Sequence, residues 1–346
     1  MMNDTSKTEG KLKDRILLSL REHQGTCSSG EALAEKFSVS RQAVWKAIKQ
    51  LTEEGIPIQA VPRQGYCLAP DYDLLLASEV ESLLSEEARA FFRIEALKTV
   101  TSTNTLLKNR GQKGEAEGLV LLAEEQSEGR GRMGRSFYSP KGTGLYMSLL
   151  LRPPYPPEES ILITTLAAVS AAEAVEAMIG HFPDADVYGE EVRIKWVNDL
   201  YLNELKIAGI LTEATLSMES GQMEQAVLGI GFNLAPPEGG FPEEIHDIAG
   251  AVFKKSCPPG ARALLAAVFL DRFLPEYRRL TKKRYLTEYR KRQLLMGKQV
   301  EVLERNESAG TAKVLGVDEN CRLLVRMEES GEEKALSSGE VRVRKL

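Results

Sequence analysis

Three short stretches of this 346-residue chain concentrate side chains that could do chemistry. The first is Gly129-Arg130-Gly131-Arg132-Met133-Gly134-Arg135, directly after the apolar run LVLLAEEQ. Its glycines let backbone N–H groups approach a ligand closely, and its arginines supply forked donors for phosphate or carboxylate. It is not a Walker A loop, because GK[ST] is missing, and no helical pattern follows as a dinucleotide fingerprint requires. Taken alone, such an arginine–glycine run is more often a solvated or RNA-contacting loop. The second stretch is KWVND at 195–199, where Lys195 sits on an alternating strand beside Trp196. A lysine fixed in this way is a cation for developing phosphate charge. The third is TSTN at 101–104, ahead of Leu106 and Leu107. It reads as a helix N-terminus whose hydroxyls and unpaired N–H groups can hold a small polar group. KIAGILTE at 206–213 and GIGFN at 229–233 accompany them.

This is chemistry by clamping cations rather than by an enzyme nucleophile. Cys27, Cys67, Cys257 and Cys321 are scattered without a CxxC, and His23, His181 and His246 are isolated. The spacing therefore indicates no disulfide framework, zinc knuckle, histidine metal site or catalytic triad. The metal ligands, if any, are left unidentified.

The elements that must position these residues follow from composition and period. Hydrophobic residues make up 42% and charged residues 27%, with 45 Lys+Arg against 50 Asp+Glu, which excludes a mainly disordered chain and a uniformly basic nucleic-acid coat. No apolar run approaches the ~18 residues of a membrane span. The N-terminus MMNDTSKTEG lacks the apolar core of a signal peptide, so cytoplasm is the expected compartment and no membrane partner is expected. At about 150 residues per domain, the length suggests two or three domains. Over residues 76–285, strand candidates are GLVLLAE, GLYMSLLL, VRIKW, IAGILTEA and AVLGIGFNL. Helix candidates are EESILITTLAAVSAAEAVEAMI and ARALLAAVFLDRFLPEYRRL. Without strict βαβ alternation, this predicts an α+β domain with a mixed, largely antiparallel sheet. From 297 on, GKQVEVLE, GTAKVLGVD, CRLLVRM and GEVRVRKL alternate apolar and polar residues, which predicts a small β-barrel.

Residues 11–68 read as helix, helix, turn, helix, hairpin. Leu12, Ile16, Leu17 and Leu20 have helical spacing. Ser28 and Glu31 form a candidate capping box for a second helix with Leu33 and Phe37 inside. After the break FSVS, Ser40 can cap a third helix carrying Val44, Ile48 and Leu51 on one face, with Gly55 at its end. IPIQA and GYCLA joined by VPRQ make the hairpin. This is the order of a winged helix-turn-helix, whose reader helix enters the major groove by its N-terminal residues. Those are Arg41, Gln42, Trp45 and Lys46, with Ser40 and the wing residue Arg63 suited to phosphates. Ten Lys/Arg against eight Asp/Glu over residues 1–70 give only a weak electrostatic signal. A packing or dimerisation module with Trp45 half-buried is the alternative. APDYDLL at 69–75 reads as a linker.

TSTN, EEQSEGRGRMGRSFYSP, KWVNDLYLNELKIAGILTE and GIGFN occur together and in one order, and with them the chain resembles the biotin protein ligases. The preceding winged helix makes it resemble the bifunctional class, in which the ligase also represses transcription of biotin synthesis and uptake genes. The resemblance covers nearly the whole chain. It implies a class II synthetase-like catalytic domain at 71–296, a winged helix-turn-helix at 1–70 and an SH3-like barrel at 297–346. It also implies activation of biotin by ATP and Mg²⁺ to biotinyl-5′-AMP, then transfer to a lysine of a biotin carboxyl carrier protein. On this resemblance the biotin pocket comprises Ser102, Thr103, Asn104, Gln126, Arg130, Gly131, Arg132, Lys195, Gly209 and Gly229. Lys195, Arg130 and Arg132 would be catalytic, and Arg135, Asn198, Asp199 and Asn233 would meet the nucleotide. Gly209 and Gly229 read equally well as strand bulges. A ligand-dependent homodimer bound to an inverted-repeat operator follows from the same resemblance. The chain departs from the family's KWPND at Val197, where a strand former replaces proline. A lipoate-type ligase and a metabolite-sensing repressor without ligase activity are the alternatives.

Overall fold

The structure, a computed structural model, describes residues 12–53, 56–70, 73, 75–189, 191–216, 221–304, 307–337 and 341–345. Gly55, expected to end the third helix, lies outside the described residues, as do three of the seven linker residues.

The N-terminal unit contains α1 (Leu12–Glu22), β1 (Cys27–Ser28), α2 (Gly30–Phe37), α3 (Arg41–Glu53), β2 (Ile58–Val61) and β3 (Gly65–Leu68). The three helices close on their own core of Ile16, Leu17, Leu20, Leu33, Val44, Ile48 and Leu51. Ser38 ends α2 with a left-handed φ of 54°, and the Ser40 hydroxyl accepts from the Ala43 N–H at 3.2 Å, so FSVS makes the break between helices. The cap of α2 is Ser29, which accepts from the Ala32 N–H at 3.0 Å, rather than Ser28. Ser28 is instead in β1, paired with Tyr66, so the expected Ser28–Glu31 capping box does not form. The same pairing sets Cys27 opposite Cys67, and the two form a disulfide. Their separation of 40 residues hides this pairing from any spacing rule, and it corrects the expectation of no disulfide.

Two short helices, α4 (Ala77–Leu83) and α5 (Glu86–Phe91), lead into the central layer. That layer runs β4 (Arg93–Val100), α6 (Thr103–Gln112), β5 (Leu119–Gln126), β6 (Gly144–Leu151), α7 (Ser160–His181), β7 (Arg193–Lys195), β8 (Asp199–Leu202), β9 (Leu205–Leu216) and β10 (Met223–Asn233). The sheet order is β4-β5-β6-β10-β9-β8-β7, and only β4–β5 is parallel. Then follow α8 (Ala261–Tyr277) and α9 (Leu286–Lys291). The 22-residue α7 is long and apolar enough to cross a membrane by composition alone. It is instead mostly buried, packed against α8 and β9 in the main core.

The C-terminal strands are β11 (Gln299–Glu304), β12 (Glu307–Val317), β13 (Leu323–Met327), β14 (Glu333–Leu336) and β15 (Val341–Lys345). Their order, β14-β13-β12-β11-β15, leaves β14 and β15 at opposite edges, so the described strands form an open five-stranded sheet rather than the expected closed barrel. Its inner side chains, including Val300, Val314, Leu323 and Val325, belong to the same apolar core as α7 and α8.

Among the described residues, Leu76 packs on the core of the N-terminal unit, and polar contacts hold that unit and its linker. Arg21 Nε lies 3.5 Å from Glu79, and Asp73 is ion-paired with the buried Arg262. Asp73 also accepts from the Gly260 N–H at 3.0 Å, so the linker is pinned at its centre.

Candidate active site

A cavity opens on the face of the central sheet between the start of α6, the end of β5, the first half of β9 and the middle of β10. Ser102 caps α6, so its turn sets Thr103 and Asn104 inward. The Gln126 carboxamide accepts from the Thr103 N–H at 2.9 Å and its hydroxyl at 3.0 Å, and donates to Ser139 at 3.1 Å. Buried Ser148 Oγ lies 2.7 Å from Thr103 Oγ1 and 2.6 Å from Asn104 Oδ1. Asn104 donates to Glu213 at 3.0 Å and to the Leu211 carbonyl at 3.3 Å. These bonds fix a polar floor, while Phe137, Met147, Ile210, Leu211 and Ile230 supply apolar walls.

The glycines of β9 and β10 keep the floor open. A Cβ on Gly229 would overlap Asn104 Oδ1, and one on Gly231 would overlap the Phe137 ring. Both residues hold regular register, Gly229 opposite Leu211 and Gly231 opposite Gly209, so neither is a bulge. The close approach itself is why glycine stands there.

The arginine-rich loop crosses the mouth. Arg130 Nη1 lies 3.1 Å from Glu213, and Arg132 Nη1 donates to Asn198 Oδ1 at 3.0 Å. Met133 takes a left-handed φ of 57° between them. Asn198 is fixed in turn, because its amide donates to the Ile210 carbonyl at 2.8 Å. Val197 does not disrupt this turn: the Trp196–Val197 peptide is cis and Asn198 still lines the cavity.

Of the expected ligand residues, Ser102, Thr103, Asn104, Gln126, Arg130, Gly131, Arg132, Asn198, Gly209 and Gly229 come together at this cavity. Lys195 pairs with Asp199 across β7–β8, and Asp199 pairs with Gly209 of the cavity, so Lys195 stands on the same face of the sheet, with its ammonium over the Tyr201 ring at 5.9 Å. Lys206 also lines the cavity, and its Nζ is 2.7 Å from Asp199. Strict alternation along β9 puts Lys206 on the opposite face from Gly209 and Leu211. A register shift intervenes: Leu200 pairs with Ala208 but Tyr201 with Lys206, so Ile207 is an extra residue on β9. Such a bulge re-aims the side chains before it and brings Lys206 to the cavity face. Glu213 and Ser148 were equally invisible as site residues. Their only signal is parity with Gly209 on β9, and with Tyr146 and Leu150 on β6. Asn233 lies at the end of β10 and Arg135 is exposed on the loop, both outside the cavity lining. Among the described residues no cluster of three or more His, Cys, Asp or Glu could hold a metal ion alone.

On the N-terminal unit, Ser40, Arg41, Gln42, Trp45 and Lys46 are all exposed at the start of α3, and Arg63 is exposed at the hairpin turn. Trp45 is 53% exposed, so about half of it is buried within the chain. Lys49 lies over its ring at 5.5 Å.

The Biotin/lipoate A/B protein ligase family matches residues 96–233, the stretch that builds the cavity. The chain belongs to this family. An HTH domain matches 13–67, and the biotin protein ligase C-terminal domain matches 295–344. The Bifunctional ligase/repressor BirA of Bacillus spizizenii is 35% identical over 228 residues, 66% of each chain. Its namesake from Escherichia coli is 35% identical over 212 residues, 61% of this chain and 60% of that one. The matched stretch thus spans just under two thirds of those relatives. A biotin protein ligase from Aquifex aeolicus, solved in complex with biotin and ATP, superimposes with a TM-score of 0.59 at 29% identity. The superposition covers 73% of this chain and 99% of that one.

Proposed function

We propose that the protein is an ATP-dependent biotin protein ligase that also acts as a biotin-responsive repressor. The observation that carries the ligase reading is one cavity joining a hydrogen-bonded polar floor, apolar walls, two loop arginines and Lys206. The floor of Thr103, Asn104 and Gln126 offers donors and acceptors to a ureido-type ring, and the walls suit its apolar remainder. Arg130, Arg132 and Lys206 face the end where a carboxylate must attack the α-phosphate of ATP. Approach of two anions is opposed by their charge, and fixed cations lower that repulsion as charge develops. Biotinyl-5′-AMP and pyrophosphate result; the lysine amine of a carrier domain would then attack the acyl carbon of the mixed anhydride, forming the amide and releasing AMP and a proton. The 129–135 loop would shield the anhydride from water between the steps. Mg²⁺ would be held chiefly by the nucleotide phosphates, whose charge it offsets, with Asp199 the carboxylate nearest Lys206.

We take residues 1–70, 71–296 and 297–346 as the reader, catalytic and C-terminal units of a cytoplasmic protein. Exposed Arg41, Gln42 and Lys46 on α3 support DNA reading. A single reader with so little net charge gains little non-specific affinity, so a ligand-dependent homodimer on an inverted repeat fits best. The ligase test is incubation with ATP, biotin and a biotin carboxyl carrier domain, read by mass. The carrier should gain one biotinyl group; a carrier of unchanged mass refutes the reading, and gain of a lipoyl group from lipoate would favour the alternative ligase.

A further inference from the structure

The turn that presents Asn198 is held from behind by groups that touch no part of the cavity. The Tyr289 hydroxyl donates to the Val197 carbonyl at 3.0 Å. The Trp196 indole N–H donates to the Cys321 carbonyl at 2.9 Å. Tyr289 is fully buried and Trp196 and Val197 nearly so, so these bonds form without competition from water. Burial also holds the Tyr289 phenol well above its ordinary range, which keeps it a donor at any working pH. The same edge is tied by the Ile194 N–H to the Arg292 carbonyl and the Leu294 N–H to the Ile194 carbonyl, both at 2.8 Å. On the cavity side, Asn198 Oδ1 accepts from Arg132 Nη1 at 3.0 Å.

We propose that Tyr289 and the Cys321 carbonyl are positioning groups for Asn198, and through it for the Arg132 end of the loop over the cavity. α9 and the β12–β13 connection thereby set how tightly the loop closes. The peptide carbonyl of Val197 immediately precedes Asn198, so losing its anchor lets the Asn198 backbone rotate and its side chain leave Arg132. The functional meaning of closure rests on the ligase reading, but the geometry does not.

The test is a double-mutant cycle in the full-length protein with Tyr289→Phe and Asn198→Ala. The first readout is tryptic cleavage after Arg130, Arg132 and Arg135, followed by mass without added ligand. Tyr289→Phe should speed cleavage there by about fivefold, the effect of one buried hydrogen bond, and should add nothing in the Asn198→Ala background. Equal acceleration in both backgrounds, or none in either, overturns the proposal, because a merely structural tyrosine acts whether or not Asn198 is present. Trp196→Phe, which removes the N–H to Cys321 together with part of the buried ring, should show the same dependence on Asn198 and serves if Tyr289→Phe does not fold. The second readout is escape of biotinyl-5′-AMP, expected to rise with cleavage. A wild-type protein that forms no adenylate would sink the ligase reading alone and leave the cleavage result standing.

Discussion

Replacing Lys206 by Met separates the lysine that the fold places at the cavity from the one that the sequence pattern favours. Methionine keeps the aliphatic stem and removes only the charge. Lys206 Nζ sits 2.7 Å from Asp199, with the two side chains 26% and 25% exposed. Breaking so accessible a pair costs at most about 1 kcal/mol of stability, so the variant should fold. Its effect on the barrier is larger. A preorganised charge aimed at developing negative charge contributes about 3–4 kcal/mol when water is excluded, and partial exposure reduces that to about 2–3 kcal/mol. The expected loss is then roughly 30- to 150-fold in rate. The assay is single-turnover formation of biotinyl-5′-AMP, with biotin and ATP saturating. Lys195→Met is measured beside it, because Lys195 is the cation of the KWVND motif and pairs with the Asp199 that Lys206 contacts. A Lys206→Met rate near wild type together with a large Lys195→Met loss would refute the placement and restore the reading from the KWVND motif.

Three further outcomes follow from single features. Gly229→Ala should abolish biotin binding in calorimetry while the protein stays folded, since the new methyl must push Asn104 off Ser148 and Glu213; retention of wild-type affinity would show that the floor is not the ligand site. Reducing the Cys27–Cys67 bond should lower the stability of the winged helix by up to ~4 kcal/mol, from the entropy of closing a 40-residue loop, with the main thermal transition unmoved. A calorimetric scan identical with and without reductant would contradict it. The Arg93 and Arg110 guanidinium groups beside Glu115 hold its carboxyl down at about 2, below its ordinary 4.5. A depressed carboxyl stabilises fully above its unfolded value and loses that contribution as pH falls through its folded one. Glu115→Gln should therefore flatten the acid dependence of unfolding between about pH 4.5 and 2, and an unchanged slope there would count against the cluster.

What the sequence makes legible is whatever repeats at the period of an element. The helix candidate at 158–179 matches α7 but for two residues at each end, GLYMSLLL is β6 residue for residue, and AVLGIGFNL lies within β10 but for its last residue. Some short elements escape: β8 and β14, four residues each, are missed, whereas the equally short β2 and β3 are marked by the turn VPRQ between them, and β4 reads RIEALKTV with its apolar residues irregularly placed. Contacts between distant segments also escape. The α2 cap moves from Ser28 to Ser29 because β1 claims Ser28, and the pairing partner of β1 is forty residues away. Within the site, the loop arginines and the TSTN helix start were legible because motif and local structure coincide there. Lys206 was not, because a one-residue bulge against β8 reverses the face on which alternation puts it.

The distribution of cores bears on how ligand could be felt by the reader helix. The C-terminal strands share one apolar core with the central layer, and Trp196 and Tyr289 lie in it beside Cys321. Displacing that sheet from the site would expose buried apolar surface, so the two should move as one body. The N-terminal unit has a core of its own and meets the rest through Arg21–Glu79 and through Leu76 packed on that core, while Asp73–Arg262 pins the linker. Of these, the Glu79 carboxyl is raised by burial despite Arg21, so that pair is desolvated without full compensation, and Glu79 Oε2 has no hydrogen-bond partner. Asp73, by contrast, meets Arg262 and the Gly260 N–H together. The linker pin is therefore the stronger hold and the Arg21 contact the weaker one. A change at the cavity that re-orients the reader would break the Arg21 contact first and pivot about Asp73, and Asp73→Ala should loosen the unit far more than Arg21→Ala in hydrogen exchange of α1. Equal loosening by the two substitutions would place the pivot elsewhere.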